Sequence, residues 1–241
     1  MTLPAHLKVP WGIGAALVVY LLAWIGFTFA LVILIGFASP YLPVAAQFLD
    51  ALQRNDVQAS FILVIVNAVV AFALVAMYLR HFKVGFDTVG WRKFSIIKAA
   101  LYLLAIFVIF IIGSGLLIYL VSVLVPGFDS NQAQTNEFTT STTSNPHLTL
   151  IALVIIPPII EETVFRGFIF PAFAKRWGVI WGAIISSVLF GFAHLQANVG
   201  VYTFLLGMLL CFLYVKLKSI IPGILFHMLN NYLAFVALSG K

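Results

Sequence analysis

Charge is what this chain has least of. Of its 241 residues only 8% are Asp, Glu, Lys or Arg, against 63% apolar. A water-soluble domain carries about 25% charged residues. The shortage excludes a protein that covers itself with solvated side chains and makes lipid its main solvent. No charge falls between Lys8 and Asp50, between Asp56 and Arg80, or between Lys98 and Asp129. Each gap holds the roughly 20 apolar residues that cross a bilayer as helix. Inside-outside alternation is lacking too. That excludes barrel strands and leaves helices as the way to satisfy backbone polar groups in lipid.

Other absences narrow the chemistry. The single cysteine, Cys211, excludes an internal disulfide and says nothing about redox compartment. No HExxH occurs, so the usual zinc-helix signature is missing. No Asp falls within an apolar segment, which excludes an aspartyl dyad. Ser114 lies between Gly113 and Gly115, a pattern of close helix packing rather than of a nucleophile. The first apolar run far exceeds a signal-peptide core of about 7–15 residues and has no obvious cleavage site, so it reads as a retained helix. A net charge of +6 fits cytoplasmic loops and implies no nucleic-acid partner.

What is present is a series of apolar segments, at 11–39, 57–79, 97–125, 148–174, 178–197, 200–216 and 219–239. They predict an all-α, polytopic transmembrane helical bundle of about seven spans, eight if one is split. The first and third, near 42 Å as helix, must tilt, kink or protrude. The stretch GFDSNQAQTNEFTTSTTSNPH reads as a solvated loop. Residues 1–147 supply helices without a motif. Residues 148–241 hold every motif, within one membrane domain.

With the N-terminus inside, the inner segments hold Lys8, Arg80, Lys83, Arg92, Lys93, Lys98, Lys175, Arg176, Lys216 and Lys218, and the outer segments only Arg54 and Lys241. This asymmetry predicts a multi-pass protein of the cell membrane with a cytoplasmic N-terminus and an outer C-terminus.

Against this background some polar residues are out of place. Glu161 and Glu162 are adjacent inside IALVIIPPIIEETVFRGFIF. A carboxylate at the bilayer centre costs about 2.5–3.5 kcal/mol on insertion scales, which makes it a functional candidate. Glu162 and Arg166 are four apart on one helix face, within reach of an ion pair. Glu161 lies about 100° further round, with no cation one turn away. Glu162 and Arg166 are therefore assigned to structure and Glu161 to chemistry. Pro157 and Pro158, one turn earlier, remove backbone donors and should kink or break the helix. The next segment carries Phe190 and His194 four apart, and the last carries His227 and Asn231 four apart. Each pair alone reads as packing or as an interhelical hydrogen bond. Together, at about 1.5 Å per residue, Glu161, His194, His227 and Asn231 can meet near one depth. That predicts a shared, water-accessible cavity, with the Glu161 carboxylate within about 5 Å of the His194 ring.

A carboxylate held out of water suits a general base acting on water, and imidazole and carboxamide donors can stabilise an oxyanion in a dry site. The same atoms allow a second arrangement, in which Glu161, His194 and His227 hold a zinc ion with an open position for water. The residues leave the cofactor undecided between zinc and none.

Residues Glu161 to Arg166 resemble the EExxxR motif of the CPBP family, the CAAX-processing and bacteriocin-processing membrane peptidases. Phe190 to His194 is similar to that family's FxxxH, and His227 to Asn231 to its HxxxN. The order is the family's, each motif has its own apolar segment, and none departs from the pattern. The resemblance implies a helical bundle with a cavity open towards the cytosol. It implies endopeptidase cleavage of a membrane-associated peptide or protein substrate, which in the eukaryotic branch is a prenylated C-a-a-X tail. Bacterial relatives are linked to peptide maturation and bacteriocin self-immunity. Members are often described as metallopeptidases, and a metal-free glutamate-activated water is also proposed for them. Carried over, Glu161 is the base, His194 its partner in activating water, and His227 with Asn231 the oxyanion donors or metal ligands. Glu162, Arg166 and Phe190 support them.

Two other classes stand beside this reading. Intramembrane Glu, His and Asn also form proton relays in transporters, though inverted repeats with paired broken helices would then be expected. A catalytically idle scaffold or immunity protein would keep the motifs for folding alone. Oligomeric state is open, since Gly178 and Gly182 form a GxxxG pair that serves internal packing as readily as dimers.

Overall fold

The computed structural model describes residues 3–54, 56–129, 145–194 and 196–239, with the side chains of 24–27, 57, 238 and 239 left aside. Among the described residues the structure is helical, without strand. A short 3-10 turn, Ala5–Leu7, precedes α1 (Ile13–Ala38). Then come α2 (Pro43–Gln53), α3 (Val57–His81), α4 (Ile96–Leu124), α5 (Pro146–Phe192), α6 (Ala197–Leu217) and α7 (Ile221–Ser239).

Local chemistry sets the ends. Asp56 caps α3 by accepting from the Gln58 and Ala59 amides, and Ser95 and Asn145 cap α4 and α5 in the same way. Proline at the first position opens α2, where an N–H would be unsatisfied anyway. Lys218 ends α6 with a left-handed backbone at φ 59°.

Among the described residues five helices are long and apolar enough to cross a membrane, and α7 adds a shorter apolar stretch, Ile221–Ala237. The polytopic helical bundle read from the sequence is therefore the observed architecture, with two corrections. The division expected between 148–174 and 178–197 falls at Gly178, whose non-helical φ 83° and ψ 167° separate two helical arms of α5, but the second arm ends at Phe192 rather than at 197. That arm, 179–192, extends only about 21 Å and falls short of a full crossing. At Gly182 a Cβ would stand 2.6 Å from the Ala174 amide nitrogen. The GxxxG pair thus folds the two arms of α5 onto each other. The other correction is α2, an amphipathic helix with no buried residue, which lies between α1 and α3 and was not anticipated. Its polar Gln47, Asp50 and Gln53 interrupt an apolar stretch too short to show a span.

The prolines do not break α5. Instead the helix widens to π geometry on either side of them, at Ile151–Ile155 and Glu162–Ile169. Such widening is common at functional sites. Its carbonyls also take side-chain donors, from within α5 and from elsewhere. Trp11 donates its indole N–H to Phe168 O at 2.9 Å and stacks on the Phe168 ring at 4.3 Å. Ser186 donates to Phe165 O, and Thr163 to Ile159 O. Every residue from Glu162 to Ile169 is buried, so this segment is the centre of the bundle.

The positively charged connections share one end of the molecule. Lys175 donates to Val9 O, Ile220 N–H to Gly90 O, and Ser219 to Arg92 O. The turn Phe86–Val89 presses so closely on Gly167 that a Cβ there would overlap the Val89 carbonyl. Trp91 then reaches Thr163, beside Glu162, with a hydrogen bond of 3.1 Å.

Candidate active site

The two adjacent acids part company in the fold. Glu162 is sealed, its side chain 1% exposed, and it pairs with Arg166 Nη1 at 2.9 Å. The same oxygen, Oε1, accepts from His227 Nδ1 at 3.0 Å. Arg166 is equally buried, its guanidinium 4.2 Å above the Phe190 ring. An unpaired cation at that depth would be costly, and carboxylate plus ring together hold it. Glu161 points elsewhere. Its side chain keeps 12% exposure, and Oε2 stands 3.6 Å from His227 Nε2.

His227 therefore lies between the acids. Its Nδ1 is engaged by Glu162, so that nitrogen carries the hydrogen, and Nε2 is left facing Glu161. At 3.6 Å the Nε2 to Oε2 separation is too long for a direct hydrogen bond. The sequence spacing revealed the Glu162–Arg166 pair but not the His227 contact, because that contact joins α5 to α7. No helical period encodes a link of that kind.

His194 closes the second arm of α5. Its Nδ1 donates to the Phe190 carbonyl one turn back at 2.8 Å, and among the described residues Nε2 has no hydrogen-bond partner. Phe190 is fully buried and meets the His194 ring edge-on at 5.0 Å and the His227 ring at 5.7 Å. The motif phenylalanine is thus the wall that both imidazoles stand against, as well as the lid over Arg166. Asn231, one turn beyond His227, donates from Nδ2 to Leu153 O at 2.9 Å. The fold brings Glu161, His227 and Phe190 into one cluster, with His194 attached through Phe190 and Asn231 through α7.

A zinc ion would need three donors converging on one point at about 2 Å. Among the described residues no three His, Cys, Asp or Glu side chains come together in that way. The arrangement does not fit the zinc set allowed by the sequence, and the metallopeptidase description gains no support.

A groove of about 450 Å³ runs between α4 and α7, lined by Leu103, Leu104, Phe107, Leu225, Phe226 and Leu229. It contains none of the motif residues but begins at the neighbour of His227.

Residues 143–233 match the family described as type II CAAX prenyl endopeptidase Rce1-like. The resemblance read from the three motifs is thereby shown, over the segment that contains all of them. Over 84 residues the chain is 33% identical to a Bacillus subtilis (strain 168) protein named "Putative membrane peptidase YdiL", covering 35% of this chain and 34% of that one. Over 87 residues it is 34% identical to an uncharacterized 24.3 kDa protein of Escherichia coli, covering 34% of this chain and 40% of the other. The match thus spans between about a third and two fifths of these relatives. No solved structure matches the chain.

Proposed function

We propose, from the premise that residues 143–233 form an Rce1-like segment, that this chain is an intramembrane endopeptidase. Its substrate class is a membrane-associated peptide or protein, lipidated or carrying a leader. Glu161 is the general base. It takes a proton from a water held between its carboxylate and the free Nε2 of His194 as that water attacks the scissile carbonyl. Carrying a hydrogen on Nε2 as well as on Nδ1, His227 donates to the oxyanion together with the unused N–H of Asn231. Atoms balance without a cofactor: water supplies a hydroxyl to the new acid and, through Glu161, a proton to the leaving amine.

One observation carries this reading. Of two adjacent acids, one is buried and neutralised by Arg166 while the other keeps access to space and faces an imidazole nitrogen already oriented by its neighbour. An imidazole oriented by a carboxylate through its far ring nitrogen is a familiar catalytic arrangement.

The test is cleavage of a membrane-anchored fluorogenic peptide by the chain reconstituted in liposomes. Wild type should cleave, and Glu161→Ala should lose activity by a hundredfold or more at unchanged protein level, in line with a general base worth about 10²–10⁴ in rate. Equal cleavage by both would sink the assignment of Glu161. No cleavage by either across anchored substrates, with ion flux in the same liposomes, would favour a transporter.

A further inference from the structure

The carbonyl of Leu153 has no donor within its own helix. Its α-helical donor would be the amide of residue 157 and its π-helical donor that of residue 158. Both are prolines, Pro157 and Pro158, and have no N–H. The 3-10 donor, at Ile156, is spent on Ile151 O. A carbonyl left unpaired at membrane depth is expensive. The partner comes from another helix, through the Asn231 Nδ2 bond to Leu153 O at 2.9 Å. Asn230 Nδ2 stands 3.3 Å from Asn231 Oδ1, which agrees with the amide lying this way round.

We propose that Asn231 is a positioning residue, whose carboxamide replaces the N–H that two consecutive prolines remove and so locks the acid-bearing part of α5 against α7. Leu153–Asn231 is one tie between these helices, and Glu162–His227 is the other. Glu161 lies on the stretch between them. Slippage of α7 would part His227 from Glu161 even with every catalytic group intact. This role rests on the reading above for its effect on catalysis, but the tie itself does not. The amide has two N–H groups, so the tie to Leu153 and an oxyanion role can coexist and can be separated.

The separation uses the prolines. Asn231→Leu, close in size and without a donor, should lower the thermal midpoint of the full chain in detergent by about 2–5 °C. Pro157→Ala restores the α-helical donor to Leu153. In that background the same Asn231→Leu change should shift the midpoint by less than half as much. Pro158→Ala restores the π-type donor and provides the second background if the first variant accumulates poorly. With an anchored peptide as substrate, the Pro157→Ala background should also recover part of the turnover lost in Asn231→Leu, the unrecovered part being the oxyanion donor. Equal midpoint shifts in the wild-type and both proline backgrounds would overturn the proposal. Because the midpoint needs no substrate, a chain that never cleaved a peptide would defeat the peptidase reading and leave this one decided on its own.

Discussion

At the residue scale, two neighbouring glutamates have opposite surroundings, and the difference was half legible. The four-residue step from Glu162 to Arg166 is a helix-surface rule, and the ion pair is there at 2.9 Å. The contact from Glu162 to His227 crosses 65 residues of sequence, where no periodicity applies. Removing Glu162 strands both Arg166 and His227. Glu162→Ala and Arg166→Ala should each cost about 3–5 kcal/mol and reduce monodisperse protein recovered by size exclusion. Glu161→Ala should leave recovery near wild type, since Glu161 neutralises no cation. A poor yield from Glu161→Ala alone would reverse the division of the two acids.

His6 offers a second test at this scale, outside the spans. It is buried, its ring against Tyr214 at 5.4 Å, and Nε2 has no partner among the described residues. Burial first, then the charges of Arg92 and Lys218, bring its pKa from 6.5 down to about 4, against a smaller opposing contribution from the Tyr214 backbone. The unfolded chain binds a proton below pH 6.5 that the folded chain refuses until about 4. Stability from this site is therefore complete above that upper value and falls as pH drops through the window. Melting midpoints measured across the window should decline less steeply for His6→Asn than for wild type. Parallel curves would show that His6 does not set the dependence.

At the element scale, α5 departs most from what its sequence announced. Two prolines in an apolar run suggested a break, yet the chain passes through them by widening to π geometry on both sides and borrowing a donor from α7. The interruption comes instead at Gly178, whose φ 83° and ψ 167° belong to a region open almost only to glycine. Composition did mark a boundary there, through Lys175 and Arg176. It did not show that the second arm would be so short, because apolar residues continue past Phe192 into α6. Gly178→Ala puts a side chain on a backbone that resists one and should cost about 1–3 kcal/mol. It is expected to lower the thermal midpoint and to expose the 175–178 turn to limited proteolysis. An unchanged midpoint would mean that the turn can adopt another conformation. Helix α2 was illegible for a different reason, since a surface-lying amphipathic helix with no buried residue leaves only a weak trace between two apolar spans.

At the scale of the whole molecule, the positive-inside count and the fold converge. Segments separated by up to 166 residues, Val9 and Lys175 among them, meet at one basic end, with Gly90, Arg92, Ser219 and Ile220 joined there as well. The positive-inside asymmetry predicts that this end faces the cytoplasm. Val125→Cys should then react with an impermeant maleimide added to intact cells, and Lys93→Cys only after permeabilisation, the buried Cys211 staying silent. The reverse pattern would invert the topology. The 130–144 part of the expected polar loop lies outside the described residues.

The measurement closest to the centre of this account is a comparison of membrane peptides by mass spectrometry, from cells making wild type, Glu161→Gln or Glu162→Gln at matched levels. New cleavage products are expected with wild type, and none with Glu161→Gln although that protein accumulates normally. Glu162→Gln should yield products only in proportion to the folded protein that remains. The same products appearing with Glu161→Gln, or no products with wild type, would contradict the claim that Glu161 activates water for peptide cleavage.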